Sequence, residues 1–257
     1  MTVRNPNREA IRHGKITTEA LRERPGYPTW AMKLTMAITG LIFGGFVLVH
    51  MIGNLKFFMP DYGANSAYPG ERQIDVYGSF LREIGSPLFP YESILWVLRI
   101  ILLVALVLHI YCAFALTARS QKSRGKFRRT GLMGGYNSFA TRTMLVTGIV
   151  LLAFIIFHIL DLTVGVAPAA PEAFEHGAVY ANLIASFSRW PVAIWYIIAN
   201  LVLFLHLSHG IWLAVSDLGI TGRRWRSILL AVAYIVPALV LIGNISIPFA
   251  IAVGWIS

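Results

Sequence analysis

Leu203-Phe204-Leu205-His206-Leu207-Ser208-His209-Gly210-Ile211-Trp212 lies inside an apolar run that spans residues 192–215. That run is long enough to cross a bilayer as a helix, because a hydrocarbon core about 30 Å thick needs roughly 20 residues at 1.5 Å each. An imidazole within it is costly unless something binds it, and ionisable groups inside membrane spans mark functional sites. Working outward, four more apolar runs cover residues 34–55, 94–116, 144–164 and 228–250. The first three of these carry one such histidine each: His50, His109 and His158. The last has none, and holds Pro237 and Pro248, which are able to bend a helix. The expected fold class is therefore all-α, an integral membrane protein of five transmembrane helices, with the first four forming a bundle around the histidines.

Composition agrees. Hydrophobic residues make up 56% of the 257 residues and charged ones only 13%, about half the charged share of soluble domains. The lone Cys112 excludes an intrachain disulfide and a CxxC-type metal site, and is expected to pack as a small apolar residue. Residues 1–30 are polar, with Pro6, Pro25 and Pro28. They read as a cytoplasmic arm with one short amphipathic helix around 17–24 and no cleaved signal peptide. Residues 31–257 then form a single transmembrane domain. No internal repeat stands out.

The net charge of +10 takes its meaning from its distribution. Basic residues cluster before the first span, between the second and third (Arg119, Lys122, Arg124, Lys126, Arg128, Arg129, Arg142), and between the fourth and fifth (Arg223, Arg224, Arg226). Seventeen of the 22 fall on that one side. By the positive-inside rule the N-terminus is cytoplasmic and the C-terminus outside. The basic excess is thus topological, and no nucleic-acid partner is expected; it can also dock an acidic partner at the cytoplasmic face.

Topology fixes depth. Counting 1.5 Å per residue from each span's middle puts His50 and His158 roughly 6–7 Å to the outer side, and His109 and His206 roughly 4–6 Å to the inner side. The histidines fall into two layers, an outer pair and an inner pair, roughly 10–13 Å apart along the membrane normal. Isolated histidines have no reason to match in depth two by two. Two bis-histidine haems stacked across the bilayer require it, and with both axial positions filled their chemistry is electron transfer. The competing readings are a histidine-lined proton or ion pathway, and histidines that only hydrogen-bond to neighbouring helices. His209 shares a face with His206, so either can reach an iron, and His209 can instead meet a propionate. His13 and His176 lie in polar segments and are expected to be solvated. Gly40, Gly44, Gly45, Gly148 and Gly210 offer room along the spans.

At Leu48-Val49-His50, Leu108-His109-Ile110-Tyr111, Phe157-His158-Ile159-Leu160-Asp161 and the fourth-span stretch, followed by Gly219-Ile220-Thr221, the sequence resembles a known family. It is similar to the cytochrome b membrane anchors of succinate:menaquinone oxidoreductases and quinol:fumarate reductases, in their single-subunit, five-helix, dihaem form, and most of all to the actinobacterial members. The resemblance covers nearly the whole chain. It implies two haems b, one on His50 and His158 and the other on His109 and His206, with His206 preferred over His209 as ligand. It implies a succinate dehydrogenase (quinone) complex in a bacterial plasma membrane. The flavoprotein with its FAD and the iron–sulfur subunit with its clusters would dock at the cytoplasmic face, and electrons would pass through the inner and outer haems to menaquinone. No dicarboxylate-site residue is expected in this chain. The resemblance also places the quinone near the outer haem. Polar groups at that depth are Glu92, Arg99 and Asp161. Arg99, inside a span, needs a counter-charge, either a propionate or Asp161, and either carboxylate could exchange the quinone proton.

Overall fold

The computed structural model describes residues 26–124, 136–220 and 222–256. The expected helix around 17–24, His13, the basic residues Lys126, Arg128 and Arg129, and Thr221 lie outside the described residues. The described chain is all-helical, without strands. Its elements in order are α1 (Thr29–Asn54), a short 3₁₀ turn (Leu55–Phe58), α2 (Gln73–Glu83), α3 (Ser93–Arg124), α4 (Tyr136–Ile159) continued by a π turn (Leu160–Val164), α5 (Val179–Phe187), α6 (Trp190–Asp217) and α7 (Arg223–Ala252).

Five helices, α1, α3, α4, α6 and α7, are long and apolar enough to span a membrane. Each contains the apolar run that marks it in the sequence. Their outward faces leave Ile38, Val97, Leu103, Val107, Ile149 and Ile156 exposed. Large apolar surfaces of this kind are unstable in water and natural in lipid. Polar side chains within the spans turn back on their own helices: Ser208 donates to the Phe204 carbonyl at 2.6 Å and Asn200 to the Tyr196 carbonyl at 2.9 Å. Pro191 sits in the first turn of α6, where no intrahelical N–H bond is lost. Helix α7 runs through both Pro237 and Pro248.

Packing is uneven. Helix α6 packs closely on α7, α1 and α4, and α3 packs on α1. Among the described residues no such close backbone packing joins α1 to α4 or α3 to α6. These two loosely joined pairs are the ones that share histidines.

The two short helices α2 and α5 were not expected from the sequence. They lie in the connections between the first two spans and between the third and fourth, and so meet at one end of the bundle. Asp75 of α2 accepts the backbone N–H of Tyr180 at 2.9 Å, Phe57 stacks on Tyr180, and Arg72 lies 4.1 Å above the same ring. Beneath them Phe57, Ile74, Leu183, Phe187, Ile247 and Ile251 form a buried core. This end is the cap side, and the opposite end, where α1 begins, is the arm side.

Candidate functional site

The four span histidines meet in two pairs. On the cap side the ring centroids of His50 (α1) and His158 (α4) are 5.9 Å apart and the planes nearly perpendicular, at 88°. On the arm side those of His109 (α3) and His206 (α6) are 6.5 Å apart at 60°. The ring that faces His109 is that of His206; His209, one turn further along α6, is also buried. Cys112, one turn beyond His109, is fully buried, as its apolar role requires. His176 is exposed on its loop beside Phe174.

Three of the four rings have Nδ1 beside a hydroxyl of a neighbouring helix. Thr39 on α1 donates its only proton to the Thr35 carbonyl, its better partner at 2.7 Å, and lies 3.0 Å from His109 Nδ1. Thr147 on α4 donates to the Met144 carbonyl at 3.0 Å and lies 3.0 Å from His206 Nδ1. Tyr196 on α6 donates to Asp161 Oδ2 at 2.8 Å and lies 3.3 Å from His158 Nδ1. A hydroxyl carries one hydrogen. When that hydrogen goes to the carbonyl or the carboxylate, the oxygen accepts, Nδ1 carries the ring proton and Nε2 keeps its lone pair. This is the arrangement of metal-ligating histidines, whose second nitrogen donates to a fixed acceptor. His50 is held instead by stacking on Phe46, with centroids 5.3 Å apart and planes at 22°.

The spacing suits one metal between two rings. A bond from a first-row metal to an imidazole nitrogen is about 2.0 Å. The nitrogen lies about 1.1 Å from its ring centre, so two trans imidazoles on one ion have centroids about 6.3 Å apart. Both observed separations lie within about 0.5 Å of that value. No group of three or more His, Cys, Asp or Glu side chains gathers as a metal site among the described residues. A pair is enough only for an ion that brings its other ligands with it, as haem iron does. Room is present as well. A Cβ placed on Gly40 would lie 3.4 Å from His109 Cε1, and one on Gly148 3.5 Å from His206 Cε1. Around Gly210 nothing lies within 4 Å of such a Cβ, and Gly45 is exposed on the outside of α1. A groove of about 400 Å³ between α1 and α3 reaches Thr39, Ala105 and Leu108 beside the arm-side pair.

The acidic and basic residues are distributed differently from expectation. Asp161, fully buried in the π turn just past His158, is the centre of a polar knot. Its Oδ1 accepts from Ser186 and, at 2.9 Å, from Arg189, which also reaches the Ala169 carbonyl at 2.7 Å. Arg189 Nε is buried without a partner among the described residues. It is a donor available to an acidic group such as a propionate. Arg99 is matched neither with Asp161 nor with a group in the bundle interior. It pairs with Glu92 at 3.6 Å, and Glu92 also meets Arg82 at 3.3 Å. Glu92, with φ of 62°, and Arg99, stacked on Trp96, therefore form a separate cluster at the head of α3, a third or so exposed.

Thr39, Thr147, Tyr196 and Arg189 were not among the residues singled out from the sequence. A signal for the threonines is in the sequence, where no repeat had been expected. Residues 36–50 and 144–158 share Met, Thr, Gly, Phe and His in one register: Met36, Thr39, Gly40, Phe46, His50 against Met144, Thr147, Gly148, Phe154, His158. Each copy supplies a ligand-type histidine to the cap layer and, eleven residues earlier, a threonine to the arm layer. Eleven residues of helix span about 16 Å, somewhat more than the layer separation counted from the sequence.

Comparison of the chain with protein-family models, curated proteins and solved structures returned no match.

Proposed function

We propose that this chain is a dihaem cytochrome b, the membrane anchor of a succinate:menaquinone oxidoreductase. The observation that carries the reading is the pair of facing imidazole pairs, each spanning two helices that do not pack closely on one another. His50 and His158 would hold one haem b, and His109 and His206 the other. When bound, haem b supplies one-electron transfer between its ferrous and ferric forms.

The protein's part is positional and electrostatic. Thr39, Thr147 and Tyr196 would hold Nδ1 of three rings and leave Nε2 for the iron. Gly40 and Gly148 leave that space unfilled. Apolar walls exclude water, and a haem held by two histidines would serve electron transfer and not oxygen chemistry. Two such sites along the bundle would carry electrons from one membrane face toward the other. The basic arm side, cytoplasmic by the positive-inside rule, would receive the iron–sulfur subunit and, through it, the flavoprotein. Menaquinone would be reduced at the cap side, outside the cytoplasm, where Arg189, Asp161 and the Glu92–Arg99 cluster are among the polar groups present.

The hydroxyl held beside Nδ1 of three rings favours this over a proton or ion pathway. A histidine relay needs both ring nitrogens to exchange protons, whereas in three of these rings one nitrogen is tied to a side chain anchored on another helix. The test is to express the chain with its neighbouring genes, purify the assembly through a tag on this chain, and add succinate anaerobically. The expected result is co-purification of a flavoprotein and an iron–sulfur protein, with haem b absorbance rising on succinate addition. A dihaem chain that brings down a different dehydrogenase would retain the cytochrome and overturn the succinate assignment. A chain that binds no haem would overturn both.

A further inference from the structure

We infer that Asp161 and Tyr196 are positioning residues for the cap-side ligand His158, acting as a charged relay that makes this imidazole the most electron-donating of the four. The inference rests on the haem reading above and goes beyond it, because it assigns a role to a carboxylate otherwise expected to serve quinone or propionate.

The relay is built from four groups. Asp161 has no exposed surface, so its carboxylate interacts at low effective dielectric, where charge acts strongly. Ser186 and Arg189 both donate to Oδ1, which holds the carboxylate in place and leaves Oδ2 for Tyr196 at 2.8 Å. Tyr196 is itself buried, wedged among Phe154, Phe157 and Phe187 with ring centroids 4.8 to 6.1 Å away. Its oxygen, having donated to a carboxylate, carries extra negative charge and presents it to the N–H at His158 Nδ1, 3.3 Å away. A donor ring whose N–H points at such an acceptor becomes more imidazolate-like, and so a stronger ligand through Nε2.

None of the other three rings has this. Thr39 and Thr147 give their protons to neutral backbone carbonyls, so His109 and His206 lean on neutral hydroxyls. His50 leans on the Phe46 face. The chain thus treats its two pairs unequally through residues that never touch the metal. Stronger donation stabilises the oxidised iron, so the relay lowers the potential of one centre alone.

The experiment is a redox titration of the purified complex, following the haem α-band under dithionite and ferricyanide, for wild type, Tyr196→Phe and Asp161→Asn. Tyr196→Phe leaves the contacts of Asp161 with Arg189 and Ser186 in place, so it tests the relay even where the Asp161 variant folds poorly. The expected result is an upward shift of one midpoint potential, with the other unchanged and both haems retained. Asp161→Asn, which keeps an acceptor for Tyr196 but removes the charge, should shift the same centre in the same direction by less. Two retained haems with neither potential moved, or both moved equally, would overturn the relay and leave the haem reading standing. A wild-type chain with no haem would overturn the haem reading itself.

Discussion

On the arm side, each imidazole rests on a threonine one helix away, and the threonine's proton returns to its own backbone. On the cap side, His158 rests on a tyrosine whose proton goes to a buried, arginine-bound carboxylate, while His50 stacks on a phenylalanine. The arm-side support is symmetric, two Thr-Gly pairs facing two histidines, and costs the bilayer little. A threonine in a helix satisfies itself on its preceding turn. The cap-side support needs an ion pair, and an ion pair survives there because the α2–α5 cap and the loop that follows the π turn bring Ser186, the Ala169 carbonyl and Arg189 around Asp161. The difference shows what each depth allows. Where no loop folds back over the bundle, the rings meet neutral hydroxyls; on the cap side, where loops do fold back, a charge is used.

The sharpest way to break this comparison is at the ion pair. Removing one partner of a buried pair strands the other and costs about 3–5 kcal/mol. Asp161→Ala should therefore destabilise the protein by that order, read as a large fall in thermal midpoint in detergent. The His109–His206 pair should keep its haem spectrum in whatever fraction remains folded. Loss of both spectra in parallel would mean the two ends are not separately supported. Arg189→Ala strands Asp161, which has no exposed surface, and should cost at least as much.

Next comes the space beside the arm-side rings. A leucine at Gly148 must grow from a Cβ already 3.5 Å from His206 Cε1. Overpacking of this kind costs typically about 1–3 kcal/mol. Gly148→Leu should displace that ring and remove one haem of the two, whereas Gly148→Ala, whose Cβ meets the ring at ordinary contact distance, should retain both. Haem quantified per chain separates the outcomes. Retention of both haems in the leucine variant would show that the glycine is there for another reason.

The smallest effect belongs to the threonines. Interhelical hydrogen bonds in membranes average about 0.6 kcal/mol. Thr39→Val and Thr147→Val should each change stability by about that much, while altering the low-spin electron paramagnetic resonance signal of one haem only. A change in both signals from one substitution would contradict the assignment of these threonines to a single layer.

How far the sequence carried the fold follows from the same physics. The five spans were legible because a helix that is apolar all round over a bilayer's thickness is stable in lipid and not in water. The depth of each histidine follows from helical rise, and that made the pairing of His50 with His158 and of His109 with His206 legible too. The cap was not. Residues 73–83 mix Asp75, Arg82 and Glu83 with Ile74 and Phe80, and their helix is held by partners, Tyr180 and Phe57, more than a hundred positions and some fifteen positions away in the chain. Arg99 was visibly short of a counter-charge, but Glu92, which answers it, sits at a left-handed turn that spacing does not reveal. Tyr196 and the two threonines blend into their apolar runs; only the register shared by residues 36–50 and 144–158 marks the threonines out.

The central claim is that each histidine pair holds one haem. Its most direct test is haem b counted per chain in the purified complex for wild type, His158→Ala and His206→Ala. The account predicts two, one and one, with a different haem lost in each variant, distinguishable by midpoint potential. A wild-type chain without haem, or variants that both keep two, would contradict it.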